Sequence, residues 1–234
     1  MIIDILQTIV DFSTLKNQVN VIQIDKYVYD NLYIHNLDTS NQYVHQKIIE
    51  MRYFSRLRIL ICSNNRFIKN ISHLSKTLEK LICNGDWSAI NQEHISKLTK
   101  LKVLDCSKNK LINNVNHLSE TLEDLDCSHG CKIDQYGITN LKKIRTLNCC
   151  GNLYIGNVNH LSKTLENLDC SYESAINQNG MHSSLTQEVL GISGLKKIKK
   201  MCCKENNKIK NVKEKIFFSL QPSTIIMVSC KSSN

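Results

Sequence analysis

Hydrophobic and polar residues recur along this chain in a fixed order, which residues 101–109 show most clearly. Their sequence, LKVLDCSKN, places apolar side chains at positions 1, 4 and 6 and an asparagine at position 9. Because positions 4 and 6 are two residues apart with a polar residue between them, the pattern is that of a strand with one buried face. The segment therefore predicts a short strand that ends in a turn.

The same spacing occurs seven times, and a degenerate eighth copy ends the chain. Position 6 is cysteine in every copy. The copies begin at Leu57, Leu78, Leu101, Leu122, Ile144, Leu165, Ile198 and Ile225. The first six starts lie 21 to 23 residues apart. This period is typical of solenoids, in which each copy adds one strand to a parallel sheet and a continuous core.

A period of two copies is superimposed on the single repeat. The odd-numbered copies have asparagine at position 9, namely Asn65, Asn109, Asn152 and Asn206. The even-numbered copies have other residues there, namely Asp86, Gly130 and Glu173. The duplicated unit is therefore a pair of repeats, and the sequence does not show how the even-numbered turns are held.

The repeat spacing resembles the leucine-rich repeat, L-x-x-L-x-L-x-x-N, with cysteine in place of the third leucine. The resemblance covers residues 57–230 and implies an α/β fold class, a leucine-rich-repeat solenoid with a curved parallel β-sheet. Since most repeats have only 21 to 23 residues, we expect turns, 3₁₀ segments and short helices on the convex side. An insertion near 177–190 lengthens the sixth copy and is expected to form a loop or a short helix.

Residues 1–35 do not follow the repeat, and their apolar residues lie at helical spacing. They resemble an F-box through the motifs D-I-L-x-x-I-x-x-F and L-K-x-x-V, which match residues 4–12 and 15–19. The Leu-Pro usual at the start of an F-box is absent, and tyrosine stands where tryptophan is usual. Two alternatives stay open, a helical cap that shields the first strand or a capping strand at 20–24. Residues 36–56 would be a linker or N-terminal cap before the repeats of 57–234.

The outward strand positions predict a candidate partner-binding surface. At position 5 the middle copies carry Asp105, Asp126, Asn148 and Asp169. Neighbouring strands are about 5 Å apart, so these side chains should form a stripe along the concave face. Stacked like charges cost stability unless a partner or solvent offsets them. The stripe is either a solvated product of duplication or a surface for a basic segment of a partner.

Cysteine content and terminal sequence indicate the cellular compartment in which the protein is expected. The chain has 11 cysteines and a formal net charge of +9. Seven inward cysteines should act as small hydrophobes in the core, namely Cys62, Cys83, Cys106, Cys127, Cys149, Cys170 and Cys203. We expect these thiols to be reduced, in an intracellular compartment. No apolar run is long enough to span a membrane, and the N-terminus lacks the basic region of a signal peptide.

Candidate chemistry other than protein binding is sparse. Residues 196–215 contain nine lysines and two glutamates, which suits either anion or nucleic-acid binding or a solvated end of the solenoid. No P-loop, dinucleotide-binding or nucleophile-elbow motif occurs. Cys127 should point inward and His129 outward, which argues against a metal site there. The sequence thus predicts no catalytic residue, metal or cofactor.

The order of segments as a whole resembles F-box/leucine-rich-repeat proteins of the kind encoded by giant DNA viruses of amoebae. The resemblance implies a non-enzymatic adaptor in the cytoplasm of a host cell. Its F-box would hold a Skp1-like subunit of a cullin ubiquitin ligase, and its repeats would recruit a substrate protein. The residues implied for Skp1 contact are Ile5, Leu6, Ile9, Phe12, Leu15 and Val19. A plain repeat scaffold with an N-terminal cap and no ligase link is the alternative.

Overall fold

The computed structural model describes residues 2–11, 14–23, 26–40, 44–176, 195, 197–204, 206 and 227–229. The chain divides into two compact units, Met1–Leu101 and Lys102–Asn234. Among the described residues, no helix has both the length and the apolar character needed to cross a membrane.

The first unit combines short helices with three parallel strands. Its helices are α1 (Ile2–Asp11), α2 (Leu15–Ile22), α3 (Lys26–Asn31), α4 (Gln46–Ile49) and α5 (Gln92–Ile95). Its strands are β1 (Asn36–Asp38), β2 (Ile59–Ile61) and β3 (Lys80–Ile82). The strands pair in the order β1, β2, β3. The sheet of this unit thus begins inside the segment expected to be a linker or cap.

The second unit repeats one strand and one turn many times. Its strands are β4 (Val103–Asp105), β5 (Asp124–Asp126), β6 (Thr146–Asn148), β7 (Asn167–Asp169), β8 (Lys200–Cys202) and β9 (Met227–Ser229), and its helix is α6 (Gln135–Ile138). Each strand pairs in parallel with the next. Short 3₁₀ turns such as Asn116–Leu118 and Asn159–Leu161 complete the repeats. One parallel strand per copy, with turns and short helices between, confirms the leucine-rich-repeat fold class.

The strands β2 to β8 each bury their middle residue and the cysteine that follows the strand. Leu125 of β5 and the following Cys127, like Leu147 of β6 and the following Cys149, are at most 1% exposed. All seven cysteines expected in the core are buried, and nine of the described cysteines are thiols. Cys203 is disulfide-bonded, so the expectation of a reduced thiol is wrong at this position. Inward cysteines on neighbouring strands lie about 4.8 Å apart, which is within the span of a disulfide.

The odd-numbered turns are held by their asparagines. Asn152 Nδ2 donates to the carbonyl oxygens of Cys127 and Ile133, at 2.9 and 3.1 Å. Its Oδ1 accepts from the N–H groups of Tyr154 and Ile155. One buried amide therefore satisfies four backbone groups that the turn would otherwise leave unpaired, and it links its copy to the preceding one.

In two of the even-numbered copies, a smaller side chain at position 10 is buried where the odd-numbered copies have the asparagine amide of position 9. Cys131 Sγ lies 3.6 Å from Cys106 Sγ of the preceding copy. Ser174 is fully buried and hydrogen-bonds the Cys149 thiol of the preceding copy. Large turns with an amide thus alternate with small turns that contact the cysteine column.

Charged residues at position 2 also alternate in sign from copy to copy. Within the first unit, Arg58 Nη2 lies 2.8 Å from Glu79 Oε1. Within the second, Lys199 Nζ lies 2.8 Å from Glu166 Oε2, and Arg145 Nε lies 3.9 Å from Glu123 Oε2. These exposed pairs are each worth less than about 1 kcal/mol, so their main effect is to favour opposite charges on neighbouring copies.

The N-terminal helices are hydrogen-bonded to the segment that leads into β1. Gln7 Nε2 donates to the Tyr33 carbonyl at 2.7 Å, and the Tyr33 N–H donates back to Gln7 Oε1 at 3.1 Å. Arg52 donates to the carbonyls of Asp30 and Leu32, at the C-terminal end of α3. α2 extends through Ile22, so 20–24 does not form the alternative capping strand. The insertion near 177–190 lies outside the described residues.

Candidate protein-binding face

The candidate site is the outward face of β4 to β8 in the second unit. The strand register places Asp105, Asp126, Asn148, Asp169 and Cys202 side by side at the last position of successive strands. We call this set the position-5 row. Its first four members are half-buried, so each presents part of a polar side chain to solvent.

Each acidic member of the row is fixed by its own turn. Asp126 Oδ1 accepts the Ser128 N–H at 3.0 Å and the Ser128 hydroxyl at 2.7 Å. Asp105 makes the same two bonds with Ser107, at 3.0 and 2.8 Å. Such local turns hold a carboxylate in one orientation without a partner. The repulsion expected along the stripe is therefore partly offset inside the protein.

Asn148 interrupts the acidic residues of the position-5 row and further reduces the repulsion between them. Its Oδ1 accepts the Cys150 N–H at 3.1 Å, which reproduces the aspartate turn without a charge. Its Nδ2 donates to Asp126 Oδ2 at 2.7 Å. Burial nonetheless raises the pKa of Asp126, an effect to which nearby Asp105 adds and which the bonds from Ser128 and Asn148 oppose. Asp126 is thus a carboxylate whose charged form is disfavoured by partial desolvation and by a neighbouring negative charge.

The residue at position 8 of each of copies 3 to 6 has a left-handed backbone conformation. Lys108, His129 and Tyr172 have φ of 60°, 55° and 59°, and Gly151 has φ of 61°. Glycine accepts this conformation without strain, whereas other L-residues pay about 1–2 kcal/mol each. Histidine and tyrosine are therefore costly choices at a position where glycine or asparagine would suffice.

Two aromatic side chains meet above β6. The His129 and Tyr172 ring centroids are 6.5 Å apart, although the two residues belong to copies on either side of Gly151. A Cβ at Gly151 would lie 3.4 Å from His129 Nδ1, so a side chain at this position would contact the His129 ring. His129 Nε2 lies 3.8 Å from Cys150 Sγ.

Cys150 lies at the base of this group and is not an activated nucleophile. Its side chain is only 5% exposed although it follows an outward strand position. Burial raises the pKa of its thiol to about 11, and the charges of Asp169 and Asp126 act in the same direction. A thiol that stays protonated at neutral pH is a poor nucleophile, so the His129–Cys150 contact does not form a catalytic dyad.

Other candidate residues have scaffold roles or fall outside the description. His73 and His160 donate through Nε2 to the carbonyls of Ile49 and Ile138, at 3.1 and 3.0 Å, so each joins two parts of the scaffold. No group of three or more metal-ligating side chains occurs within the described part of the chain. Among the lysines of 196–215, Lys197, Lys199, Lys200 and Lys204 are described and exposed.

The residues implied for Skp1 contact are only partly described. Leu6 and Val19 are half-buried. The side chains of Ile5, Ile9 and Leu15 and the whole of Phe12 lie outside the described residues, so the predicted apolar patch stays a prediction. The sequence analysis did not identify His129 and Tyr172 as candidate site residues. The signal was present, because other copies have asparagine or glycine at the same position, position 8 of the repeat.

Known proteins resemble this chain at the level of fold. No protein-family model matches the sequence, and no curated protein matches it. Among solved structures, the chain is similar to the crystal structure of an internalin C2 from Listeria monocytogenes str. 4b F2365, with a TM-score of 0.56 and 17% sequence identity. The match covers 97% of this chain and 96% of that chain. At this identity the likeness supports the leucine-rich-repeat fold and nothing finer.

Proposed function

We propose that this chain is a protein-binding adaptor whose position-5 row holds a basic segment of a partner protein. The main observation in favour is that hydrogen bonds fix Asp105, Asp126 and Asp169 in the absence of a partner. In each case the donor is the N–H of the second residue after the aspartate. Preorganised carboxylates bind a cation without a further ordering cost. Charge complementarity also speeds the encounter between the two proteins.

Selection of peptides on the full-length chain tests this function. Random 12-residue peptides displayed on phage should be enriched in lysine and arginine, and their binding should weaken as salt rises. The double variant Asp105→Asn, Asp169→Asn should lose at least tenfold in affinity, because asparagine keeps the turn acceptor but removes the charge. Asp38→Asn in the first unit is the matched control, since Asp38 makes the same turn with Ser40. Selection of neutral peptides, or equal loss in both variants, would contradict the proposal.

A second proposal concerns the N-terminal helices. We propose that α1 to α3 bind a Skp1-like subunit, so that the adaptor serves a cullin ubiquitin ligase in the cytoplasm, that of a host cell if the chain is viral. The favouring observation is three short helices that directly precede the first strand, in a segment with F-box-like sequence. The hydrogen bonds from Gln7 and Arg52 to residues 30–33 equally favour a cap without a ligase link.

Co-purification separates the ligase adaptor from the plain capped scaffold. Full-length chain is mixed with a recombinant Skp1-type protein and passed over a sizing column. Val19→Asp should abolish a stoichiometric complex, whereas Asn20→Asp, at a neighbouring exposed position, should leave it intact. If the unmodified chain forms no complex, the ligase proposal is wrong and the protein is a repeat scaffold with an N-terminal cap.

A lysine-rich anion site is the third function that the sequence allows. Most of residues 196–215 lie outside the described part of the chain, and Lys199 is paired with Glu166. No observation in the described residues favours this function over protein binding.

A further inference from the structure

We propose that Cys106 and Cys131 of the second unit are a reversible thiol pair, which a peroxide oxidises to a disulfide between copies 3 and 4. Cys106 Sγ and Cys131 Sγ lie 3.6 Å apart, and both side chains are fully buried. Both residues are thiols in this structure, and both belong to one compact unit. The inference concerns the interior of the repeats and does not depend on the proposed protein-binding function.

Copies 2 and 6 have serine at the place that Cys131 occupies in copy 4. In copy 6, Ser174 is fully buried, and the residue after it donates to the Asn152 carbonyl of the preceding copy. In copy 2, Ser88 is buried, and the residue after it donates in the same way to the Asn65 carbonyl. A serine is thus sufficient to pack this turn, so the fold itself does not require a second thiol there.

The two sulfurs need only a small movement to form a bond. The S–S bond of a disulfide is about 2.05 Å long, so the sulfurs would approach each other by about 1.5 Å. Cys106 Sγ also lies 3.4 Å from the Asp126 carbonyl oxygen, and Cys131 Sγ lies 3.9 Å from that of Ile112. Thiols are weak donors, so the loss of these contacts costs little next to the gain of a covalent bond.

The contact between the thiols also favours the thiolate that begins the oxidation. The S–H of Cys106 donates to Cys131 Sγ, and this bond lowers the pKa of Cys131 below its ordinary value. Backbone hydrogen bonds from Lys132 and Ile133 act in the same direction, whereas burial and the charge of Asp126 oppose the shift. The inward cysteines of copies 4 and 5 differ, because burial raises the pKa of their thiols. A thiolate is the form that reacts with an oxidant.

The turn that carries Cys131 gives a small oxidant access to the pair. Gly130 and Lys132, on either side of the buried cysteine, are exposed. A Cβ at Gly130 would meet no heavy atom within 4 Å beyond its chain neighbours, so the turn borders open space. The Cys131 N–H donates to the Ser128 carbonyl at 3.4 Å, a long bond that a local opening breaks at low cost. Hydrogen peroxide can therefore reach the thiol without unfolding of the repeats.

Hydrogen peroxide is a sufficient oxidant for this reaction. The Cys131 thiolate attacks one peroxide oxygen, the O–O bond breaks, and a sulfenic acid forms while hydroxide leaves. Cys106 Sγ then attacks Cys131 Sγ, so that the S–S bond forms, the S–O bond breaks, and the hydroxyl leaves as water with the Cys106 proton. The proton first lost by Cys131 neutralises the hydroxide. Two thiols and one peroxide thus give one disulfide and two waters, and a dithiol reverses the reaction by exchange.

Peptide mapping of the folded full-length chain tests the pair. The chain is treated with a small molar excess of hydrogen peroxide, which catalase then removes. Remaining thiols are blocked with iodoacetamide under denaturing conditions, and the chain is digested with trypsin without reduction. We expect residues 103–108, which contain Cys106, to be linked to residues 111–132 through Cys131, with the blocking group on Cys127. Dithiothreitol added before blocking should remove the link.

Three outcomes of the mapping would overturn the proposal. The first is that no link between the two peptides forms. The second is that the link joins Cys106 to Cys127, which would mean that neighbouring strands and not the turn supply the partner. The third is that the link forms only when peroxide is added to unfolded chain, because the fold then does not set the pair.

Two variants separate this pair from other cysteines that peroxide oxidises. Cys131→Ser introduces the residue that copies 2 and 6 carry, so before oxidation its urea midpoint should match that of wild type. Peroxide should raise the wild-type midpoint by about 1 M more than that of Cys131→Ser, because the new bond closes a loop in the unfolded chain. Cys150→Ser, which removes a buried thiol outside the pair, should respond as wild type does. Equal responses of wild type and Cys131→Ser would refute the disulfide.

Discussion

The outward strand positions differ between the two units, although the inward positions are alike. In the first unit the ends of the three strands carry Asp38, Ile61 and Ile82. In the second unit, β4 to β7 end in Asp105, Asp126, Asn148 and Asp169. Inward residues are mostly leucine and cysteine in both units, with Thr39 after β1 and Met201 in β8 as exceptions. The core therefore needs only repetition, whereas the outward rows are where the copies have diverged.

The difference reaches the turns as well. The segment Ile61-Cys62-Ser63 has the serine of the second unit's Asp-Cys-Ser turns but lacks the aspartate. In the second unit Asp105 and Asp126 each accept two bonds from the serine, and Asp169 accepts one, from the Ser171 N–H. A comparison of the two segments isolates what the acidic side chain contributes, and the following predictions are ordered by the size of the expected effect.

Replacement of Asp126 by isoleucine should have the largest effect. Asp126→Ile converts the copy to the first unit's sequence and removes the acceptor for Ser128 N–H, Ser128 Oγ and Asn148 Nδ2. Ser128 is buried and Asn148 is half-buried, so the loss of their shared acceptor should cost about 2 kcal/mol in total after other groups and solvent compensate in part. Urea unfolding measures the loss, and Asp126→Asn, which keeps the turn acceptor, should lose less than half as much. Equal losses would mean that the turn is not the source of the effect.

The reverse substitution in the first unit should be milder. Ile61→Asp creates an Asp-Cys-Ser turn beside Asp38, its register partner on β1. The new turn should gain about 1 kcal/mol of hydrogen bonding, while lost apolar burial and the nearby charge should offset that gain. The expected net change in the free energy of unfolding is a loss of about 1 kcal/mol. Ile61→Asn avoids the charge pair and should recover part of the loss; a larger loss in Ile61→Asn would contradict this account.

The pH dependence of stability should reveal Asp126. Because its folded-state pKa is raised above the ordinary 3.8, the folded state binds the proton more tightly than the unfolded state. The stability this contributes is fully present below the unfolded-state pKa and is lost as pH rises through the folded-state pKa. Urea midpoints of wild type and Asp126→Asn, compared from pH about 3 to about 6, should shift progressively in favour of the variant. A constant difference would refute the raised pKa.

The smallest effect is expected at Lys108. Lys108→Asn places a residue that tolerates left-handed φ where the first unit has Asn64. The free energy of unfolding should rise by about 0.5–1 kcal/mol. Thermal unfolding at fixed pH measures the gain. A decrease would show that the lysine side chain has a stabilising contact that outweighs the strain.

The sequence predicted the regular part of this fold well because periodicity reports burial directly. Leu104, Cys106 and their equivalents in other copies have one environment, so spacing alone located the strands and the core. The even-numbered turns were not predicted because Cys131 and Ser174 lie one position after the asparagine site, and their contacts depend on the preceding copy. The position-5 row was located from the sequence, but its bonds to the following serines and to Asn148 were not. Those bonds depend on side-chain orientation, which a pattern of residue types does not contain.

The alternation of large and small turns has a consequence for how such a chain can change length. Loss of copy 4 alone would bring copy 3 against copy 5, so that Lys102 would face Arg145 and two asparagine turns would be neighbours. The Cys106–Cys131 contact would also disappear. Loss or gain of two copies leaves every neighbour of the right kind. Gene rearrangements in this protein should therefore be tolerated in steps of about 44 residues, the spacing of the duplicated segments from Ile71 to Val115.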